Sequence, residues 1–331
     1  MTMAEFLPFF FMAVMGLALL AYVVLDGYDL GVGLLLPRAS DPQKDTMIAS
    51  IGPFWDANET WLVLGVGVLL VAFPKAHGLV LQALYLPVAL MLIGLILRGV
   101  AFDFRAKAPA PYKPFWNRAF FAGSLLAALA QGWMLGSYIT GFERSVLGWV
   151  FSFGIALTLP AAYVMLGAGW LIMKTDGELR DHAVAWARAA WWPMALALAA
   201  ISVATPLVSP AVWDKWFGLP EVFMLLPVPL MCALALFAIH WVVRRPSVIE
   251  AGYGWLVFAN TVLVFVLAFF GLAYSLFPDV VVGQMTVWEA AAATESLWFT
   301  FIGVALTLPV IIAYTLFMYK VFWGKARALS Y

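Results

Sequence analysis

The chain has 331 residues, 65% of them hydrophobic and 11% charged, and its mean hydropathy is +0.97. A soluble domain carries about 25% charged residues, so this composition excludes a surface that faces water all round. Lys+Arg and Asp+Glu both number 18, which leaves no net field for nucleic acid or another polyanion.

Taken in order, the apolar runs predict an all-α polytopic membrane protein, one integral membrane domain over residues 1–331. The spans lie near residues 6–36, 50–73, 78–101, 115–139, 146–173, 186–209, 220–243, 252–278 and 296–322, each long enough to cross the hydrocarbon core as a helix. No Lys or Arg precedes the first apolar run, so it reads as a retained span and not as a secretory signal. Asp26-Gly-Tyr-Asp29 interrupts that span. A break at Asp26, with Leu30 to Leu36 as a re-entrant piece, is the alternative. Cys232 is the only cysteine, so no internal disulfide can form, and in its apolar run it reads as a small buried hydrophobe. The longest linker, Pro278 to Glu295, has no Lys or Arg and could hold a short interfacial helix.

Charge gives the spans a direction. Arg38, Lys44, Arg105, Lys107, Lys113, Arg118, Lys174, Arg180, Arg188, Arg244, Arg245, Lys320, Lys325 and Arg327 fall on one side, and only Lys75, Arg144 and Lys215 on the other. The positive-inside rule then places the N-terminus outside and the C-terminus in the cytoplasm. Gly154-Ile-Ala-Leu-Thr-Leu-Pro160 in the fifth span resembles Gly303-Val-Ala-Leu-Thr-Leu-Pro309 in the ninth. An offset of four spans would make this a parallel repeat, unlike the inverted repeats of many transporters.

Ionisable side chains within spans are expensive, so each needs a reason. Asp26 and Asp29 in the first span are three apart, as are Asp56 and Glu59 in the second. Arg98 lies late in the third, followed by Asp103. The direction of each span puts all of them at one depth, in the cytoplasmic halves of three consecutive helices. Two readings stand side by side: structural ion pairing by Arg98 and Asp103, and a proton pathway through Asp56, Asp29, Asp26 and Glu59. Carboxyls in a low dielectric can take up protons near neutral pH. Asp56, with no Lys or Arg within a turn, is the favoured proton-exchanging group. His77, His182 and His240 share no helix face at mid-membrane depth, which argues against a bis-His haem or a metal site in this chain. Gly31-Val-Gly33 reads as close helix packing and not as a phosphate loop.

Asp26-Gly-Tyr-Asp-Leu-Gly-Val-Gly33, Ile51-Gly-Pro-Phe-Trp-Asp-Ala-Asn58 with Trp61, and Arg98-Gly-Val-Ala-Phe-Asp-Phe-Arg105 together resemble subunit II of the cytochrome bd ubiquinol oxidases. Trp288-Glu-Ala and Leu306-Thr-Leu-Pro309 are further landmarks, and the compact loops look like the cyanide-insensitive branch. The resemblance implies two four-helix bundles plus one extra helix, in the bacterial inner membrane. It implies a haem-bearing subunit I with b and d haems, or b only, which oxidises quinol and reduces oxygen to water. This chain would itself bind no haem and carry no catalytic residue. The family allows small single-span subunits and, in some members, a structural quinone whose binding residues the sequence does not specify. Its span-two aspartate, matching Asp56, lies on a proposed proton path. Glu289 stands where the family often has Asp. A secondary transporter of a small ion or metabolite is the competing function, and a purely structural scaffold a third. The odd span count and the missing inverted repeat weigh against the transporter.

Overall fold

A computed structural model describes residues 2–208 and 210–326, with only the backbone of residues 208, 210, 211, 221 and 224. Arg327, counted above for orientation, lies outside the described residues. The helices are α1 (Met3–Leu35), α2 (Asp41–Ile51), α3 (Trp55–Ala72), α4 (Pro74–Lys107), α5 (Lys113–Ile139), α6 (Val146–Lys174), α7 (Gly177–Val208), α8 (Pro210–Phe217), α9 (Glu221–Leu225), α10 (Pro227–Val243), the turn α11 (Pro246–Val248), α12 (Trp255–Leu276), α13 (Val287–Ala290) and α14 (Thr294–Val321). A small antiparallel ribbon, β1 (Asp279–Val281) and β2 (Met285–Thr286), precedes α13.

Among the described residues, eight helices are long and apolar enough to cross a membrane. A ninth is formed if α10 is taken with Pro246–Tyr253, against which it bends by 93°. Helices α1, α3, α4 and α5 pack as one four-helix bundle, and α6, α7, α10 and α12 as a second. Helix α14 is the extra one and lies against α1 and α3. The bundles meet where α1 and α5 touch α6.

Three boundaries differ from the hydropathy reading. The first span is one unbroken helix through Asp26 and Asp29, so no re-entrant piece forms at Leu30. Both acids are buried inside the bundle, Asp26 beside Arg98 and Asp29 beside Asn58, so they face protein and not lipid and the run need not break there. The second span starts later than expected, at Trp55: residues 50 and 51 end the preceding helix α2, and the chain breaks at Gly52–Phe54 before the spanning α3. Helices α4 and α7 continue well past their apolar stretches, to Lys107 and back to Gly177. Hydropathy marks where lipid begins, whereas helical hydrogen bonding runs on into the polar interface.

Close crossings rest on small residues. A Cβ on Gly31 would fall 2.7 Å from the carbonyl carbon of Tyr163 and 2.8 Å from the nitrogen of Gly167, so the α1–α6 crossing requires glycine there. The two repeated segments share a local device: Thr158 and Thr307 each donate to the carbonyl four residues back, at Gly154 and Gly303.

The basic set gathers at one end of the bundles. There Arg105 and Lys113 meet Asp45, and Lys325 meets Asp176. Lys174 Nζ donates to the Phe322 and Gly324 carbonyls at 2.7 and 3.1 Å, which straps the end of α14 to α6. At the opposite end the ribbon is held by Tyr138, which donates to the Val280 carbonyl, and by Gln284, which donates to the Gly141 carbonyl. Lys215 caps the carbonyls of Ser275 and Phe277 at the end of α12.

At that same end Glu289 accepts from the Thr286 backbone N–H at 2.8 Å and from its hydroxyl at 2.7 Å. These bonds hold its carboxyl below the usual carboxylate range. A depressed folded value means that the stabilisation is present above the unfolded value and is lost as pH falls through the folded one. The protection of amides at residues 285–290, taken relative to their intrinsic exchange rates at each pH, should therefore fall on acidification before that of the helical bundles does. Protection that stays constant with pH, or that is equal in a Glu289→Gln variant at neutral pH, would remove the carboxylate from this cap.

Candidate functional site

The first bundle encloses a polar cluster at its centre. On α1, Tyr22, Asp26 and Asp29 recur at spacings of four and three, which puts them on one face. Asp26 and Asp29 are 0% exposed and Arg98 of α4 is 1% exposed. Arg98 Nη2 lies 2.6 Å from Asp26 Oδ1 and also pairs with Glu59 Oε1 of α3. The Glu59 side chain keeps 26% of its surface open, so the cluster reaches from the interior to the outer face of the chain.

Asp29 is held differently. Its Oδ2 accepts from Asn58 Nδ2 at 2.8 Å, and the same amide group reaches Tyr28 Oη at 2.9 Å and the Leu25 carbonyl at 3.2 Å. Tyr319 of α14 donates to Asn58 Oδ1 at 3.3 Å, and its hydroxyl lies 2.7 Å from that of Tyr28. The extra helix is thus tied into the first bundle by hydrogen bonds. Tyr28 stacks on Trp170 of α6 with ring centroids 4.1 Å apart. One turn before Asp26 on the same face of α1, Tyr22 Oη accepts from Gln131 Nε2 at 2.8 Å, and Gln131 Oε1 accepts from Tyr163 Oη at 2.5 Å. Six helices contribute: α1, α3, α4, α5, α6 and α14.

The cluster sets three carboxyls against one guanidinium. Asp26 Oδ2, Asp29 Oδ1, Arg98 Nε and Arg98 Nη1 are buried with no hydrogen-bond partner among the described residues. Buried polar atoms normally find partners, so these four mark unspent capacity in the middle of the bundle.

The predicted residues are not all in this cluster. Asp26, Asp29, Glu59 and Arg98 are brought together. Asp56 sits on the first turn of α3 with its side chain exposed, one turn before Glu59 and on the same side of the helix. Asp103 is exposed on α4 and makes no ion pair among the described residues, contrary to the pairing expected of it. A separation of five residues turns it about 140° away from Arg98 around the helix axis. The buried pairing two residues on belongs instead to Arg105, which donates to Asp45 Oδ1 at 2.7 Å and to Asn117 Oδ1 at 2.5 Å. Sequence reasoning named Asn58 only within the family motif and gave it no role, and it missed Tyr22, Gln131, Tyr163 and Tyr319. Gln131 offered a signal, as an amide in the middle of an apolar span. The tyrosines offered none, since a Tyr in such a span reads as packing.

The histidines are dispersed. His77 is half-buried at the start of α4, His182 shares a contact of 3.2 Å with Gln43 Nε2, and His240 packs on Trp191. Among the described residues no three His, Cys, Asp or Glu side chains converge as metal ligands.

Comparison with known proteins gives a consistent pattern. The family described as cytochrome bd terminal oxidase subunit II matches residues 7–322. The cytochrome bd-I ubiquinol oxidase subunit 2 of Escherichia coli (strain K12) is 32% identical over 193 residues, 53% of this chain and 51% of that one. The chain therefore spans about half the length of that relative. The cytochrome bd ubiquinol oxidase subunit 2 of Bacillus subtilis (strain 168) is 27% identical over 327 residues, 91% of each chain. In three dimensions the chain resembles one from the bd oxidase of Geobacillus thermodenitrificans, with a TM-score of 0.76, 18% identity, and 96% and 99% of the two chains covered. At that identity the likeness concerns the fold.

Proposed function

The chain belongs to the cytochrome bd terminal oxidase subunit II family, and from that membership we propose that it is the second subunit of a respiratory quinol oxidase in a bacterial inner membrane. Its partner is a haem-bearing subunit I that oxidises quinol and reduces oxygen to water. In this reading the present chain supports the partner, carries no redox group and conducts protons from the cytoplasm. The N-terminus lies on the periplasmic side, as the charge bias requires.

The observation that carries the proton reading is the Arg98 cluster. It joins buried Asp26 to half-open Glu59, one turn from exposed Asp56. One cation against three carboxyls leaves positions for protons within the cluster, and the four unpartnered polar atoms support passage. Asp56 is the group that meets the cytoplasmic side, Glu59 and Asp26 follow through Arg98, and Asp29 lies beside Asn58, nearer the cytoplasmic end of α1 than Asp26. The dispersed histidines do not fit a haem in this chain, in keeping with placing all haems on subunit I.

Replacing Asp56 with Asn should leave the complex assembled with its haem spectrum intact. Quinol-driven oxygen uptake should fall roughly tenfold or more, since a positioned proton-transfer group typically contributes about 10²–10⁴-fold. Oxygen uptake and proton uptake both equal to the parent would remove Asp56 from the path. Purification of a stable chain without any haem-bearing partner would overturn the subunit assignment itself.

A further inference from the structure

The second bundle carries a feature that the oxidase reading does not use. At the end of α7 and α10 where the basic residues gather, a cavity of about 410 Å³ is lined by Arg188, Trp191, Trp192, His240, Val243 and Arg244. Its walls are fixed by main-chain contacts. Arg188 Nε donates to the Val243 carbonyl at 2.6 Å, and Trp191 Nε1 donates to the Leu236 carbonyl at 2.8 Å. The Trp191 ring lies 4.7 Å from the rings of both Trp192 and His240.

Neither Arg188 nor Arg244 is paired with a carboxylate among the described residues, although nearby Arg180 is paired with Asp176 and Asp181. Two unneutralised guanidiniums facing one cavity repel each other, and an anion placed between them relieves that repulsion. Guanidiniums match phosphate oxygens in geometry and in number of donors. Trp192, which lines the cavity, and Leu196 one turn on are exposed on α7, and Leu234 and Phe237 are exposed on α10. An anionic group at the interface with a hydrocarbon chain running down a helix describes a phospholipid. Aromatic and basic side chains belong at that depth.

We propose that this cavity binds the phosphodiester headgroup of an anionic phospholipid, with Arg188 and Arg244 on the phosphate and the acyl chains along α7 and α10. The inference uses the membrane-spanning fold and does not depend on the oxidase assignment.

The test is retention of phosphatidylglycerol by the purified full-length complex after mild delipidation, read by native mass spectrometry. Arg244→Gln should lower retention about fivefold, and Arg188→Gln with Arg244→Gln further, in line with the attraction of one basic residue for an anionic membrane. Arg244 makes no side-chain hydrogen bond among the described residues, so its replacement keeps the Arg188–Val243 contact and should leave the unfolding temperature unchanged. Arg245 stacks on Trp241, 4.3 Å from the ring centroid and outside the cavity lining, and Arg245→Gln should leave retention as it is. Undiminished phosphatidylglycerol retention in the Arg244 variant would overturn the site. So would equal retention of phosphatidylcholine, an equal loss from Arg245→Gln, or complete displacement by inorganic phosphate.

Discussion

Arg98→Met should destabilise the assembled chain by about 3–5 kcal/mol, the range seen when one partner of a buried ion pair is removed and the other charge is left uncompensated. Arg98 is almost wholly buried and is the cation common to Asp26 and Glu59. Methionine fills much of the same volume, so the loss reports charge more than packing. The measurement is the unfolding temperature and yield of the purified complex. Neutralising the acids in the same background, with Asp26→Asn and Glu59→Gln, should recover most of the loss, because a neutral set of similar shape leaves no stranded charge. Recovery separates an electrostatic role from a steric one. A single Arg98→Met variant as stable as the parent would show that these carboxyls do not depend on this guanidinium.

Gly31→Val should be the second large effect. The α1–α6 crossing holds the two bundles together, and a side chain at Gly31 would press on the Tyr163 carbonyl and the Gly167 nitrogen, both of which are backbone. Backbone cannot rotate aside as a side-chain tip can, so the helices must separate. Overpacking of this kind costs about 1–3 kcal/mol and sometimes more. The matched control is Gly67→Ala on α3, where a Cβ meets nothing within 4 Å. That change should be neutral or slightly stabilising, since alanine exceeds glycine in helix propensity by about 1 kcal/mol. Equal unfolding temperatures for the two variants would refute the crossing as the reason for glycine. Because Trp170 stacks on Tyr28 near this crossing, its fluorescence should also change in Gly31→Val alone.

The two effects differ in how far they were legible beforehand. Glycine at position 31 was readable as helix packing, but its partner was not, because Gly167 is 136 residues away and its own surroundings are equally apolar. For Arg98, one cation and several acids at one depth implied pairing. Which acids it would choose was undetermined, because helix rotation decides that choice and several rotations bury the same apolar surface. Asp103 illustrates the point: it is near Arg98 in sequence and at a similar depth, yet turned outward. Asp45, in what reads as a linker, is instead the partner of Arg105.

What the sequence determined by itself is what depends on composition along the chain: membrane residence, nearly all the spans, the end at which basic residues gather, and the family motifs in α1, α3 and α4. These follow from the low dielectric of lipid, which penalises each misplaced charge regardless of what packs around it. The family resemblance already implied two four-helix bundles and an extra helix; tertiary structure alone decided which helices make up each bundle, that α14 docks on the first, and the assignment of Asp26 and Glu59 to Arg98 and of Asp29 to Asn58. It also closed the chain Tyr163, Gln131, Tyr22 and brought Arg188 and Arg244 to one cavity. The reason is physical. Inside a bilayer the apolar faces of helices are nearly equivalent, so small-residue crossings and a few buried polar contacts set rotation and partner, and both are properties of pairs of helices.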